Sequence, residues 1–86
     1  MKQIWSRVAK EDYPYWQTRD KLKRDRIHAL LRDILENPYS GIGKPERLKG
    51  DLSGFWSRRI DKVNRLVYRI REGTLEILSC RGHYDD

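Results

Sequence analysis

The order of apolar and polar positions predicts a short list of elements. KQIW carries its apolar content in Ile4 and Trp5 and reads as a first strand, with Ser6 placed to cap whatever helix follows. The next dozen residues predict a helix that Pro14 complicates, since a proline in a helix interior costs about 3 kcal/mol. A late start capped by Glu11 or Asp12, or a kink, is therefore expected. Ile27, Leu30, Leu31 and Ile34 recur at the three-and-four spacing of a second helix, which Asn37-Pro38 stops. Residues 39–54 hold SGIGKPERLKGDLSG, too rich in Gly and Pro for an ordinary helix or a central strand. Three strands follow, WSRRID, RLVYRI and TLEILSC, separated by the turns KVN and EG. The order βααβββ is that of an α+β domain with both N-terminal helices packed on one face of an antiparallel sheet.

Register decides which distant side chains can cooperate, because a slip of one residue moves every side chain to the other face. A three-residue loop with Asn64 in the left-handed conformation would pair Asp61 with Arg65. Arg59, Arg65, Val67 and Arg69 then share one face, and Trp56, Ile60, Leu66, Tyr68 and Ile70 turn toward the helices. A two-residue Glu72-Gly73 turn would pair Arg71 with Thr74, set Leu75 and Ile77 beside Ile70 and Tyr68, and place Glu76 opposite Arg69. Continued without interruption, that register sends His83 to the core face. A break in the alternation is needed for His83 to meet the arginines, and Gly82 is where it is expected.

Composition changes the picture in one respect. Nineteen Lys and Arg against thirteen Asp and Glu give a formal charge of +6, which predisposes the surface toward polyanions or an acidic partner. At 86 residues, with 37% hydrophobic content, the chain is expected to form a single domain over residues 1–86. One cysteine, no signal-like N-terminus and no apolar run near the ~20 residues of a membrane span lead to the expectation of a cytoplasmic protein without membrane association.

The candidate chemistry follows from the shared face. Arg59 and Arg65 would lie there, with Lys44, Glu46, Arg47 and Lys49 arriving from the Gly-rich loop and His83 from the tail. This inventory suits RNA phosphodiester cleavage, in which a carboxylate takes the 2′-hydroxyl proton, an imidazole protonates the departing 5′ oxygen, and fixed cations hold the charge on the phosphate. The route requires no metal and no cofactor, and two distant histidines with one cysteine lack zinc spacing. Each residue has a plainer reading: Glu46 as a solvated loop residue, His83 as a polar end, Tyr84 as a cover for the core edge, Cys80 as a small apolar filler, His28 as a surface residue.

GKPERLKGDLSGFWSRRI, NRLVYRI and SCRGHY, together with IWS and DYPYW near the start, resemble the YoeB (Txe) family of bacterial toxins within the RelE/ParE superfamily, over nearly the whole chain. The resemblance implies the RelE-like fold and a ribosome-dependent endoribonuclease that cuts messenger RNA in the decoding site, leaving 2′,3′-cyclic phosphate and 5′-hydroxyl ends. It implies Glu46 as general base, Arg65 as phosphate-stabilising cation and His83 as general acid, with Lys49, Arg59 and Tyr84 around the RNA. It also implies a cognate antitoxin of the YefM/Phd type, and homodimers are common in this branch. Pro14 and the two aspartates after Tyr84 depart from the family pattern. Two other readings stay open on sequence: a non-enzymatic gyrase inhibitor like the ParE branch, and an RNA-binding module without catalysis.

Overall fold

The computed structural model describes residues 1–82. In chain order the elements are β1 (Lys2–Trp5), α1 (Arg7–Arg19), α2 (Lys21–Glu36), β2 (Glu46–Arg47), a single 3-10 turn (Gly50–Leu52), β3 (Trp56–Arg59), β4 (Arg65–Arg71) and β5 (Thr74–Ser79). The strands form one sheet in the order β1-β5-β4-β3-β2, and the core lies between its one face and the two helices. The α+β class expected from the sequence therefore holds. Two details differ: residues 39–54 contribute a two-residue edge strand, β2, and β1 runs parallel to β5 at the opposite edge.

The helices begin where short polar side chains hold orphan amides. Ser6 Oγ accepts from Ala9 N at 3.0 Å, so α1 starts at Arg7 and continues through Pro14; the expected late start at Glu11 or Asp12 does not occur. Asp12 is instead inside the helix and accepts from the amide of Cys80 at 3.0 Å. Capping at Ser6 and burial of Ala9 and Trp16 outweigh the one backbone hydrogen bond that Pro14 cannot donate. Asp20 caps α2 through Lys23 N, and the apolar stripe Ile27, Leu30, Leu31 and Ile34 is buried against Leu66, Tyr68, Leu75 and Ile77.

The hairpin between β4 and β5 has the expected register, with Arg71 opposite Thr74, Ile70 opposite Leu75, Arg69 opposite Glu76 and Tyr68 opposite Ile77. Both turn residues have positive φ, 53° at Glu72 and 73° at Gly73, as a tight two-residue hairpin demands. The hairpin between β3 and β4 is longer than expected. Arg59, not Asp61, pairs with Arg65, a shift of two positions that leaves the face assignments intact. The cause is Asp61, whose Oδ1 accepts from the amides of Val63 and Asn64 and organises the turn, so Asn64 does not adopt a left-handed conformation.

Arg58 carries the most consequential contacts of the fold. It lies on the helix side of β3, fully buried, and spreads its donors over Tyr68 Oη at 3.2 Å, Ile42 O at 3.2 Å, Ser40 O at 2.8 Å, Asn37 O and the carboxylate of Asp33. Asp33 also accepts from Ile42 N at 3.0 Å, and Tyr68 Oη donates to Pro38 O at 2.6 Å. The segment from Asn37 to Ile42 is thereby fastened to α2 and to the sheet. Gly43 completes the fit: with φ of 82°, a Cβ there would lie 2.8 Å from Leu30 Cδ2.

Replacing Arg58 by Met should cost about 3–5 kcal/mol in urea unfolding, because Asp33 and several carbonyls lose their donor together. The hydrogen bond and charge of Arg58 hold Asp33 below its ordinary 3.8, so this stabilisation is complete above that pH and fades as the pH falls through the lowered value. The acid limb of the stability profile should be shallower for Asp33→Asn than for wild type, which equilibrium unfolding across pH 2–6 measures.

Candidate active site on the open face of the sheet

The face of the sheet turned away from the helices gathers most of the side chains singled out above. Along β3 and β4, Ser57 pairs with Val67 and Arg59 with Arg65, which puts these four on one face with Arg69. Glu46 pairs with Ser57 across the β2–β3 ladder and so joins the same face, whereas Arg47, opposite Trp56, points to the other. Ideal sheet spacing sets Glu46 and Arg65 about 12 Å apart at their Cα atoms, a gap that a phosphodiester between two long side chains would span. Glu46 is exposed, Arg59 and Arg65 are half-buried, and Lys49 is exposed at the start of the 3-10 turn.

Arg65 is held from behind. Its Nη1 donates to Asp61 O at 3.0 Å and to the carbonyls of Lys62 and Asn64 at 3.3 Å. The rest of its guanidinium has no acceptor among the described residues. Farther along the face, Arg69 pairs with Glu76 and lies over the ring of Phe55 at 4.6 Å, and that hydrogen bond holds the Glu76 carboxyl below its ordinary range.

The alternation of β5 breaks earlier than Gly82. Val67 pairs with Ser79 while Tyr68 pairs with Ile77, so Leu78 is an extra residue in the ladder. Ser6 stabilises this bulge: its amide donates to Ile77 O at 2.9 Å and its hydroxyl to Leu78 O at 2.5 Å. Beyond the bulge, Trp16 Nε1 donates to Cys80 O at 2.7 Å, and Arg81 stacks 3.6 Å from the centre of the Tyr15 ring. Gly82 has φ of 100° and sits against the β3–β4 turn, its amide donating to Asn64 Oδ1 at 2.9 Å and its carbonyl accepting from Arg65 N at 2.9 Å. His83 and Tyr84 lie outside the described residues.

Cys80 is the apolar filler its sequence context suggested; burial first, then the charge of Asp12, push its thiol up to about 12. His28 is a surface residue whose Nε2 meets Tyr13 Oη at 2.5 Å. Asn64, Asp12 and Trp16, which anchor the tail, were missed by sequence reasoning, as was Arg58. The signal for Asn64 was present in the turn KVN, where a side-chain amide next to a paired arginine could serve two strands. Burial pushes the Asp61 carboxyl up, but hydrogen bonds from Asn64 and Val63 and the charge of Lys23 outweigh it and hold the group below its ordinary range.

Residues 5–84 match the family model described as YoeB-like toxin of bacterial type II toxin-antitoxin system. Toxin YoeB of Escherichia coli K12 is 50% identical over 84 residues, spanning 98% of this chain and 100% of that protein. A solved YoeB/ParE toxin from Agrobacterium tumefaciens is 43% identical with a TM-score of 0.94, covering 98% of this chain and 100% of that one. The YoeB chain of a YoeB–YefM complex from Staphylococcus aureus is 42% identical with a TM-score of 0.89, covering 98% of each chain.

The tie between the turn and the tail is testable without any assay of function. Asn64→Ala should speed amide hydrogen exchange at Gly82 by about three- to tenfold, with the amide of Tyr68 in mid-strand far less affected. Equal protection of Gly82 in the variant would show that Asn64 does not hold the tail.

Proposed function

Because the chain belongs to the YoeB-like toxins of bacterial type II toxin-antitoxin systems, we propose that it is a ribosome-dependent endoribonuclease that cuts messenger RNA in the decoding site. The observation that carries this reading is the open face itself: Arg59 and Arg65 directly opposite one another, Glu46 on the same face one strand away, and Gly82 bonded to the Arg65 amide. His83 is the next residue in the sequence after Gly82.

In the proposed reaction Glu46 takes the proton of the ribose 2′-hydroxyl, and the oxygen attacks the adjacent phosphorus. Arg65, positioned by the turn carbonyls, receives the charge that builds on the non-bridging oxygens, and Arg59 and Lys49 hold the flanking backbone. His83 gives its proton to the departing 5′ oxygen, leaving a 2′,3′-cyclic phosphate and a 5′-hydroxyl end. Tyr84 contributes a ring on which a base can stack. A metal ion is not needed at any of these steps. The partner expected to silence the protein is an acidic antitoxin of the YefM type, in keeping with the S. aureus relative and with the +6 charge of the chain, and the setting is the cytoplasm, where ribosomes are.

Mapping messenger-RNA 5′ ends after induction tests the reading. Wild type should generate new 5′-hydroxyl ends at decoding-site positions, and Glu46→Gln, Arg65→Ala and His83→Ala should each lower cleavage by about 10²-fold or more. Undiminished cutting by Glu46→Gln or His83→Ala would remove the assigned mechanism. Growth arrest through DNA damage with intact messenger RNA would point to the gyrase-inhibiting branch.

A further inference from the structure

A cavity of about 750 Å³ lies on the far side of β2 from the open face and is lined by Tyr39, Arg47, Lys49, Gly54 and Trp56 among others. Tyr39 and Trp56 meet at 4.8 Å between ring centres and 36° between planes, and Tyr39 remains 52% exposed. An exposed aromatic ring would ordinarily be free to turn away. Here the backbone on both sides of it is fixed, since Arg58 donates to Asn37 O and Ser40 O and Tyr68 donates to Pro38 O. The ring is therefore presented on a rigid support, and the two ionised groups lining the cavity among the described residues, Arg47 and Lys49, are both cations.

We propose that this cavity is a second RNA subsite that holds one unpaired nucleotide next to the cleaved bond, its base against Tyr39 and its phosphate between Arg47 and Lys49. The proposal rests on the reading of the open face as the place where RNA is cut. Its chemistry is that of single-strand recognition, which combines an aromatic platform for a base with cations that track the backbone and requires no particular sequence. The volume falls within the range of sites that enclose a small ligand. The geometry of β2 supplies the link between the two sites: Glu46 and Arg47 are consecutive residues of an edge strand and face opposite sides of the sheet. A strand of RNA crossing this edge would meet Glu46 on one side and Arg47, Trp56 and Tyr39 on the other. β2 is only two residues long, so the crossing is short.

The test uses the full chain carrying Glu46→Gln, which binds without cutting, and a fluorescein-labelled single-stranded oligoribonucleotide read by anisotropy. Tyr39→Leu should weaken binding about tenfold. Arg47→Ala should flatten the dependence of log Kd on log salt by about 0.7, the change expected when one phosphate contact on a single strand is lost. In the active protein, Tyr39→Leu should raise KM for programmed ribosomes by a similar factor with kcat within about twofold. Circular dichroism confirms that both variants fold, as substitutions at exposed positions should. Unchanged oligonucleotide affinity in Tyr39→Leu would overturn the proposal even if the protein cleaves messenger RNA. Tyr39-dependent RNA binding by a chain that never cleaves would uphold the subsite and remove the catalytic reading. Loss of antitoxin binding in Tyr39→Leu, with RNA affinity unchanged, would identify the cavity as a protein-docking surface and overturn the proposal.

Discussion

The buried guanidinium of Arg58 is the constraint on which the arrangement of this protein depends. A charge taken fully out of water is tolerated only when its donors are used and a counter-charge lies close, and here a carboxylate, a phenol and three backbone carbonyls meet that requirement. The acceptors come from α2, from the chain just after it and from β4. Arg58 thus converts a stretch rich in glycine and proline into a fixed support, and β2 follows directly from that support. Arg59 N donates to Gly43 O at 2.7 Å, which extends the same fastening one residue farther toward Glu46. The position of the proposed base is inherited from a salt bridge on the opposite side of the sheet.

A second dependency runs through Ser6. One hydroxyl accepts from Ala9 N, starting α1, and donates to Leu78 O, satisfying the carbonyl that the bulge removes from the β4–β5 ladder. The bulge resets the alternation, so Cys80 is delivered to the core, where Trp16 and Asp12 hold its backbone. Gly82 is then brought to Asn64 and Arg65. Loss of the Ser6 hydroxyl would therefore be felt at the start of α1 and at the far end of β5 together, although the two are more than seventy residues apart in sequence.

Much of this was readable in the chain. The stripe Ile27, Leu30, Leu31 and Ile34 and the alternation in RLVYRI and TLEIL identify the helix and the hairpin, because burial of one face leaves one workable register. That Arg59 and Arg65 share a face also follows from alternation, and survives the two-residue shift in pairing because a shift of two preserves faces. Other features were not legible, for distinct physical reasons. Arg58 sits in a run of two arginines, and periodicity places it inward without revealing that carbonyls from a distant loop await it. Asp61 imposes a longer turn through side-chain bonds that compete with simple loop-length rules. The bulge at Leu78 is set by Ser6 from another element, and nothing within TLEILSC announces it. Local propensity at Pro14 favours a late helix start or a kink, and capping at Ser6 with tertiary packing of Ala9 and Trp16 carries the helix from Arg7 through it.

The open face carries an arrangement that stability alone does not favour. Like charges directly opposite one another across an antiparallel pair repel, and Arg59 and Arg65 are such a pair at the end of β3 and β4. Farther along the same face, Arg69 and Glu76 show the alternative, a cross-strand pair of opposite charge. Turn carbonyls soften the repulsion at Arg65 by accepting from Nη1, but they carry only partial charge, and no carboxylate is directly opposite either arginine in the ladder. Among the described residues, this site concentrates cations without placing a full counter-charge against them, an arrangement suited to an anion from outside. In the proposed reaction the phosphate oxygens of RNA would meet that need, and an acidic segment of the proposed antitoxin partner would meet it when the protein is held silent. On that proposal, the same cluster of cations would draw both the substrate and the partner that excludes it.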